Sequence, residues 1–190
     1  MKKLFRKSGK ALVLFPIIIK AVFIYRIFGI DHLSNYIGRL PKQVVRNVLV
    51  RFGAKIGEKV NISTAIIIDN AITKDYSNLV IGDRCYIGKN VFFDLVEPVI
   101  IEIEGVISAK VTFLTHSDPG ERLLRRYFKR KTGKIRVGRG AWIGACTTIM
   151  PGVSIGECAV IGANALVNSD IPPYSVAVGV PARVIRKINE

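Results

Sequence analysis

The chain is poor in the residues that build most catalytic centres. Its 190 residues include two histidines, His32 and His116, three cysteines and one tryptophan. A zinc held by three imidazoles is out of reach, and Cys85, Cys146 and Cys158 form no CxxC pair that would complete a ligand set. No metal is expected. The odd thiol count argues against a disulfide framework and fits a reducing, cytoplasmic setting. Acid is scarce as well: 14 Asp+Glu stand against 29 Lys+Arg, a formal net charge of +15. A site built from many carboxylates is therefore not expected. The surface will attract polyanions: nucleic acid, acidic lipid headgroups or a phosphorylated cofactor. Nucleic-acid binding calls for aromatics interleaved with cations on one face, which the chain's repeats do not offer, so no nucleic-acid partner is expected.

What is plentiful is apolar sequence, at 49% hydrophobic residues, enough for one domain with a substantial core. The first 40 residues read as an apolar and basic helical segment. "MKKLFRKSGK" precedes "ALVLFPIII", but no small-residue cleavage site follows. From Ala11 to Phe28 there are 18 residues, with Pro16, Lys20 and Arg26 breaking the run. The segment reads as a membrane-surface anchor with basic flanks, at the inner face of the cell membrane. The competing reading packs it against a neighbouring subunit. Pro41 then punctuates, and "KQVVRNVLVRFGAKIG" reads as a short helix ending near Gly53.

Residues 41–190 keep a different beat. In "WIGACTTIMPGVSIGECAVIGA", Ile143, Ile149, Ile155 and Ile161 recur every six residues, a period that is neither helix nor half-buried strand. The same beat runs through "IGDRCY" and "IGKNVF", is ragged from Phe93 to Ile103, and returns as "ISAKVT". An excursion loop over 117–136, with seven Lys or Arg between Arg122 and Lys134, interrupts it. A fixed short period means an all-β solenoid in which each coil buries its face only against the next. The inward aliphatic alternates with a corner, and the Gly, Asn or Ser after it is expected to take strained corner backbone. Cys146 and Cys158, inside the beat, read as small core or wall residues.

Several motifs resemble the hexapeptide-repeat acyltransferases: Thr115-His116 after a repeat block, the loop, then "WIG…PGVSIG…AVIGA" and "DIPPYSVAVGVPARVI". The resemblance covers about residues 42–188 and is greatest to the maltose, galactoside and surface-polysaccharide O-acetyltransferase branch. It implies a left-handed parallel β-helix of triangular section, a homotrimer, and acetyl-CoA as co-substrate. The implied reaction is direct transfer of an acetyl group to a sugar hydroxyl, with a surface polysaccharide or its lipid-linked precursor as the glycan acceptor. An amine or small-molecule acceptor is the alternative, and a non-catalytic scaffold the reading from another class.

His116 stands where the beat stops and is the expected general base; an alcohol is a poor nucleophile until a neutral imidazole removes its proton. The resemblance implies Asp94 as an acceptor-binding or His-orienting acid, against the alternative of a solvated corner residue. By position, the resemblance assigns CoA contacts to Trp142, Ala145, Ala163, Ser169, Arg183 and Arg186. Arginine suits phosphate through its bidentate geometry. Many relatives read Thr-Lys-Asp where this chain has Asn168-Ser169-Asp170, so one cation of the expected phosphate site is missing. His32, outside the repeats, reads as a capping or interfacial residue. The basic loop reads as a lid over the acceptor site that meets an anionic acceptor or a bilayer.

Overall fold

The computed structural model describes the backbone of residues 2–188 and the side chains of residues 14–188. Helix α1 spans Lys2–Ile37 and helix α2 spans Lys42–Arg51. Gly29 breaks the regularity of α1 with φ 81°, a left-handed conformation open to glycine at no steric cost. One side of α1 is pinned to the body. Ala21, Leu33 and Ile37 are buried, the Tyr25 hydroxyl donates to the Lys74 carbonyl at 3.0 Å, and the Tyr25 and Phe52 rings meet at 5.2 Å. The opposite side carries Phe15, Ile19, Phe23 and Ile27, one per turn and each 53–70% exposed. The cations between Lys2 and Lys10 have side chains outside the described residues.

Beyond Lys55 the chain coils as a left-handed parallel β-helix with three sheets. The first sheet stacks Lys55–Ile56, Leu79–Ile81, Val99–Ile101, Ile135–Val137 and Ser154–Ile155. The second runs from Asn61–Ile62 through Tyr86–Ile87, Val106–Ile107, Trp142–Ile143 and Val160–Ile161 to Ser175–Val178. The third stacks Ile67–Asp69, Phe92–Asp94, Thr112–Phe113, Thr148–Ile149 and Leu166–Val167. The inward residue of each strand is buried, and Phe93 lies on Phe113 with centroids 5.2 Å apart and planes 3° from parallel. Both open ends of the column are closed. At the start, α2 buries Val44, Val45, Val48 and Leu49, and Arg46 donates to the carbonyls of Ile56 and Gly57. At the other end, Arg183–Lys187 pairs antiparallel with Ser175–Val178 and terminates the parallel ladder.

Two sequence expectations need correction. The glycine after each inward aliphatic is not the residue in strained backbone. The positive φ falls two residues later, on Arg84, Asn90, Cys146, Cys158 and Asn164, and on Lys110 two residues after Ser108. The glycines are needed because coils approach closely there: a Cβ on Gly144 would lie 2.5 Å from the Ala163 nitrogen, and one on Gly156 would lie 2.3 Å from Pro173. Cys146 and Cys158 are those corner residues rather than core, with φ 59° and 52°; Cys85 is the buried thiol.

The ragged stretch has a structural reason too. From Phe93 to Ile101 the inward residues are eight apart instead of six, and the break falls at the corner between the third and first sheets. The longer detours between Asp69 and Leu79 and between Phe113 and Ile135 fall at the same corner of the adjacent coils. Three successive irregular corners are thereby stacked on one edge of the column.

Candidate active site

That edge is where the titratable groups meet. The first detour supplies Asn70, the second begins at Asp94, and the third begins with Thr115 and His116. His116 Nδ1 lies 2.6 Å from Asp94 Oδ2. The same oxygen accepts the backbone N–H of Thr115 at 2.8 Å and of His116 at 3.0 Å. Asp94 Oδ1 accepts the Asn70 side-chain amide at 3.1 Å, and the Thr115 hydroxyl donates to the Asp94 carbonyl at 3.0 Å. The Asp94 side chain is 1% exposed and that of His116 is 28%. Burial alone would raise the Asp94 pKa. The hydrogen bonds from His116, Thr115 and Asn70 outweigh it and hold the carboxyl below its ordinary value. A carboxylate only accepts, so Nδ1 carries a proton, and in the neutral ring Nε2 presents a lone pair. Asn70 and Thr115 were not singled out from sequence as partners of Asp94. Asn70 lies off the six-residue beat, and its only mark is a turn-forming residue type, consistent with its φ of 54°.

The loop after His116 is tied at its base. His116–Ser117 pairs antiparallel with Lys131–Thr132, placing His116 opposite Thr132 and Ser117 opposite Lys131. Gly133 N–H donates to the Thr115 carbonyl at 2.9 Å. Between these anchors the loop makes one 3-10 turn, Leu123–Arg126, and borders an open cleft of about 650 Å3 that reaches Met150, Pro151 and Asn168.

The remaining candidates sit on the lower coils. Ala145 and Ala163 stack at the corner between the second and third sheets, where Asn164 N–H donates to the Ala145 carbonyl at 2.9 Å. Trp142 points outward from the second sheet and its indole N–H donates to the Ser108 hydroxyl at 3.2 Å, so it is exposed and not core. Ser169 is exposed, and Arg183 and Arg186 are exposed on the terminal strand. His32 is exposed on α1, with Nδ1 3.0 Å from the Phe28 carbonyl.

A six-repeat bacterial transferase hexapeptide model matches residues 134–169. A galactoside acetyltransferase solved in complex with coenzyme A superposes with a TM-score of 0.69 at 30% identity, covering 90% of this chain and 80% of that one. The chain belongs to the hexapeptide-repeat transferase family. A maltose O-acetyltransferase from Clostridium difficile superposes with a TM-score of 0.72 at 27% identity, over 84% of this chain and 87% of that one. The Escherichia coli galactoside O-acetyltransferase is 40% identical over 114 residues, 60% of this chain and 56% of that protein. The chain spans less than two thirds of the length of the curated relatives it matches, 63% for a Staphylococcus aureus relative.

Proposed function

We propose that the chain is an acetyltransferase that carries the acetyl group of acetyl-CoA to a sugar hydroxyl, with His116 as general base. The observation that supports this most is the His116–Asp94 pair, a buried acceptor-only group that fixes the proton on Nδ1 and frees Nε2. The acceptor O–H gives its proton to Nε2 as its oxygen attacks the thioester carbonyl carbon. The C–S bond breaks, and the same proton passes from Nε2 to the departing thiolate. An acetyl ester and free CoA leave, and the imidazole returns to its starting form. Asp94 orients the ring and stabilises the imidazolium between the two transfers, and no acyl-enzyme is needed.

The lower coils suit the donor. Ala145 and Ala163 offer no bulk at their corner, so a pantetheine arm can run against the backbone, with Trp142 as a wall. Arg183 and Arg186 offer guanidinium donors to the phosphates beside Ser169. One column presents a single wall of this groove, so the working form is a homotrimer. The acceptor belongs to a surface polysaccharide or its lipid-linked precursor. The first 30 residues contain seven Lys or Arg and no Asp or Glu, and α1 leaves its apolar stripe uncovered. This combination holds the enzyme peripherally on an anionic membrane from the cytoplasmic side. No described helix is long and apolar enough to cross a bilayer.

The test is thiol release from acetyl-CoA by the purified full chain with a panel of neutral sugars. Ester formation that disappears in His116→Ala supports the reading. No consumption of the thioester with any sugar overturns it.

A further inference from the structure

The cavity under the loop is positively charged in a way the transfer chemistry does not use. Lys129 and Lys131 both line it, and neither makes an ion pair among the described residues. The one carboxylate on its wall, Asp118, is already engaged: its Oδ1 accepts the Gly120 N–H at 2.7 Å and its Oδ2 faces Arg130 at 3.5 Å. Asn168 adds an amide at the far side, and Leu124, Phe128 and Met150 supply apolar wall. About 650 Å3 is far more than a free inorganic ion fills and is the size of an organic ligand's site. Lysine binds phosphate as a point charge on a flexible stem, without needing bidentate geometry.

Lys131 is held by the backbone. Its pairing with Ser117 sets it one residue from the catalytic pair, but neighbouring residues on a strand face opposite sides. Ser117 and Lys131 line the cavity while His116 does not. A group bound by Lys131 therefore sits across the short ribbon from the imidazole and is a handle, not a reacting group.

We infer that this cavity is a phosphate-ester subsite in which Lys129 and Lys131 hold the phosphate of one of the two substrates, with an organic segment of that substrate against Leu124, Phe128 and Met150. The inference rests on the acetyltransferase reading for the identity of the two substrates, while phosphate binding by the two lysines stands without it. Two sources share the chemistry, the donor's phosphates and a phosphate on the acceptor. The loop cations would then stand in for the cation missing at Asn168-Ser169-Asp170.

The experiment compares the wild type with Lys129→Ala/Lys131→Ala and with the milder Lys129→Gln/Lys131→Gln. Donors are acetyl-CoA and acetyl-pantetheine; acceptors are a neutral sugar, its phosphate, and an alkyl sugar phosphate. Uniform binding at a remote phosphate predicts a KM rise of about tenfold or more for the phosphate-bearing substrate, with kcat within about twofold. If the donor supplies the phosphate, the acetyl-CoA KM rises and the acetyl-pantetheine KM does not. If the acceptor supplies it, the KM of the sugar phosphates rises and that of the neutral sugar does not. Unchanged KM values for every phosphate-bearing substrate overturn the inference, as does an equal rise for neutral and phosphorylated partners. Calorimetric titration of the full chain with CoA and with sugar phosphate reads the same subsite when no turnover is found. Absent turnover with lysine-dependent binding would sink the acetyltransferase reading and keep the subsite, and turnover with lysine-independent binding would do the reverse.

Discussion

Asp94 lies 22 residues before His116 and one coil away, yet its Oδ2 gathers three donors: the His116 ring, the His116 backbone and the Thr115 backbone. The carboxylate thus fixes both the imidazole and the chain that carries it.

The first consequence concerns His116, the proposed base. His116→Ala should lower turnover about 10²–10⁴-fold, the usual worth of general base catalysis, and should also lower the unfolding midpoint, because the buried Asp94 carboxylate loses its ring donor. Steady-state kinetics on a variant checked by circular dichroism decides it; near-native turnover rules out the assignment.

Asp94 should show itself in acid. Its native pKa lies below the ordinary carboxylate value, so the folded state favours the ionised form. The stability it adds is fully present above the unfolded pKa of about 4 and is lost as pH falls through the lower native value. Urea midpoints measured between about pH 2 and 6 should fall with acid in the wild type, and Asp94→Asn should flatten that limb. The same variant should lose kcat while the KM for acetyl-CoA stays within about twofold.

The corner glycines set a stability prediction. Gly144→Ala places a methyl 2.5 Å from the Ala163 nitrogen, a backbone atom that cannot swing aside. It should cost about 1–3 kcal/mol, as overpacking does. Cys146→Gly, two residues on at φ 59°, relieves left-handed strain and should cost less than about 1 kcal/mol. Thermal unfolding of the two variants side by side tests the contrast, which fails if their costs are equal.

If Arg183 and Arg186 hold the donor's phosphates as proposed, Arg183→Ala with Arg186→Ala should raise the KM for acetyl-CoA far more than that for the acceptor, since a phosphate contact remote from the reaction supplies uniform binding. An unmoved donor KM removes these two residues from the CoA site.

The proposed membrane contact can be tested on the exposed stripe of α1. Replacing Phe15, Ile19, Phe23 and Ile27 with Ser leaves the buried side of α1 intact. Burial of each such side chain is worth about 1.5–3 kcal/mol, so sedimentation with anionic vesicles should be abolished. If vesicle binding persists while the trimer dissociates in sedimentation equilibrium, α1 is an oligomer contact.

The coil architecture was legible in the sequence because a six-residue beat leaves Ile143, Ile149, Ile155 and Ile161 in the same environment in successive strands. His116 was legible because it is one of two histidines and stands where the beat stops. The partnership of Asn70, Asp94 and Thr115 was not, because three detours of unequal length separate residues that stacking brings together, and periodicity carries no information across an interruption. The role of the glycines was misread for a related reason: a residue pattern shows that small size is needed, while only coordinates distinguish a dihedral requirement from a close approach. The loop lysines were visible as charge, but the convergence of Lys129 and Lys131 on one cleft depends on the Ser117–Lys131 pairing.

The three detours share one edge of the column, while every other corner keeps the regular four-residue crossing between strands until the last coil. Backbone ladders and inward aliphatics are therefore insulated from whatever that edge acquires. Loops there can be lengthened, exchanged or recoded with little penalty to the stack, and specificity can drift independently of fold. For engineering, the edge is a graft point: a transplanted segment between Ser117 and Lys131 would inherit the fixed imidazole at its base and set its own side chains beside it.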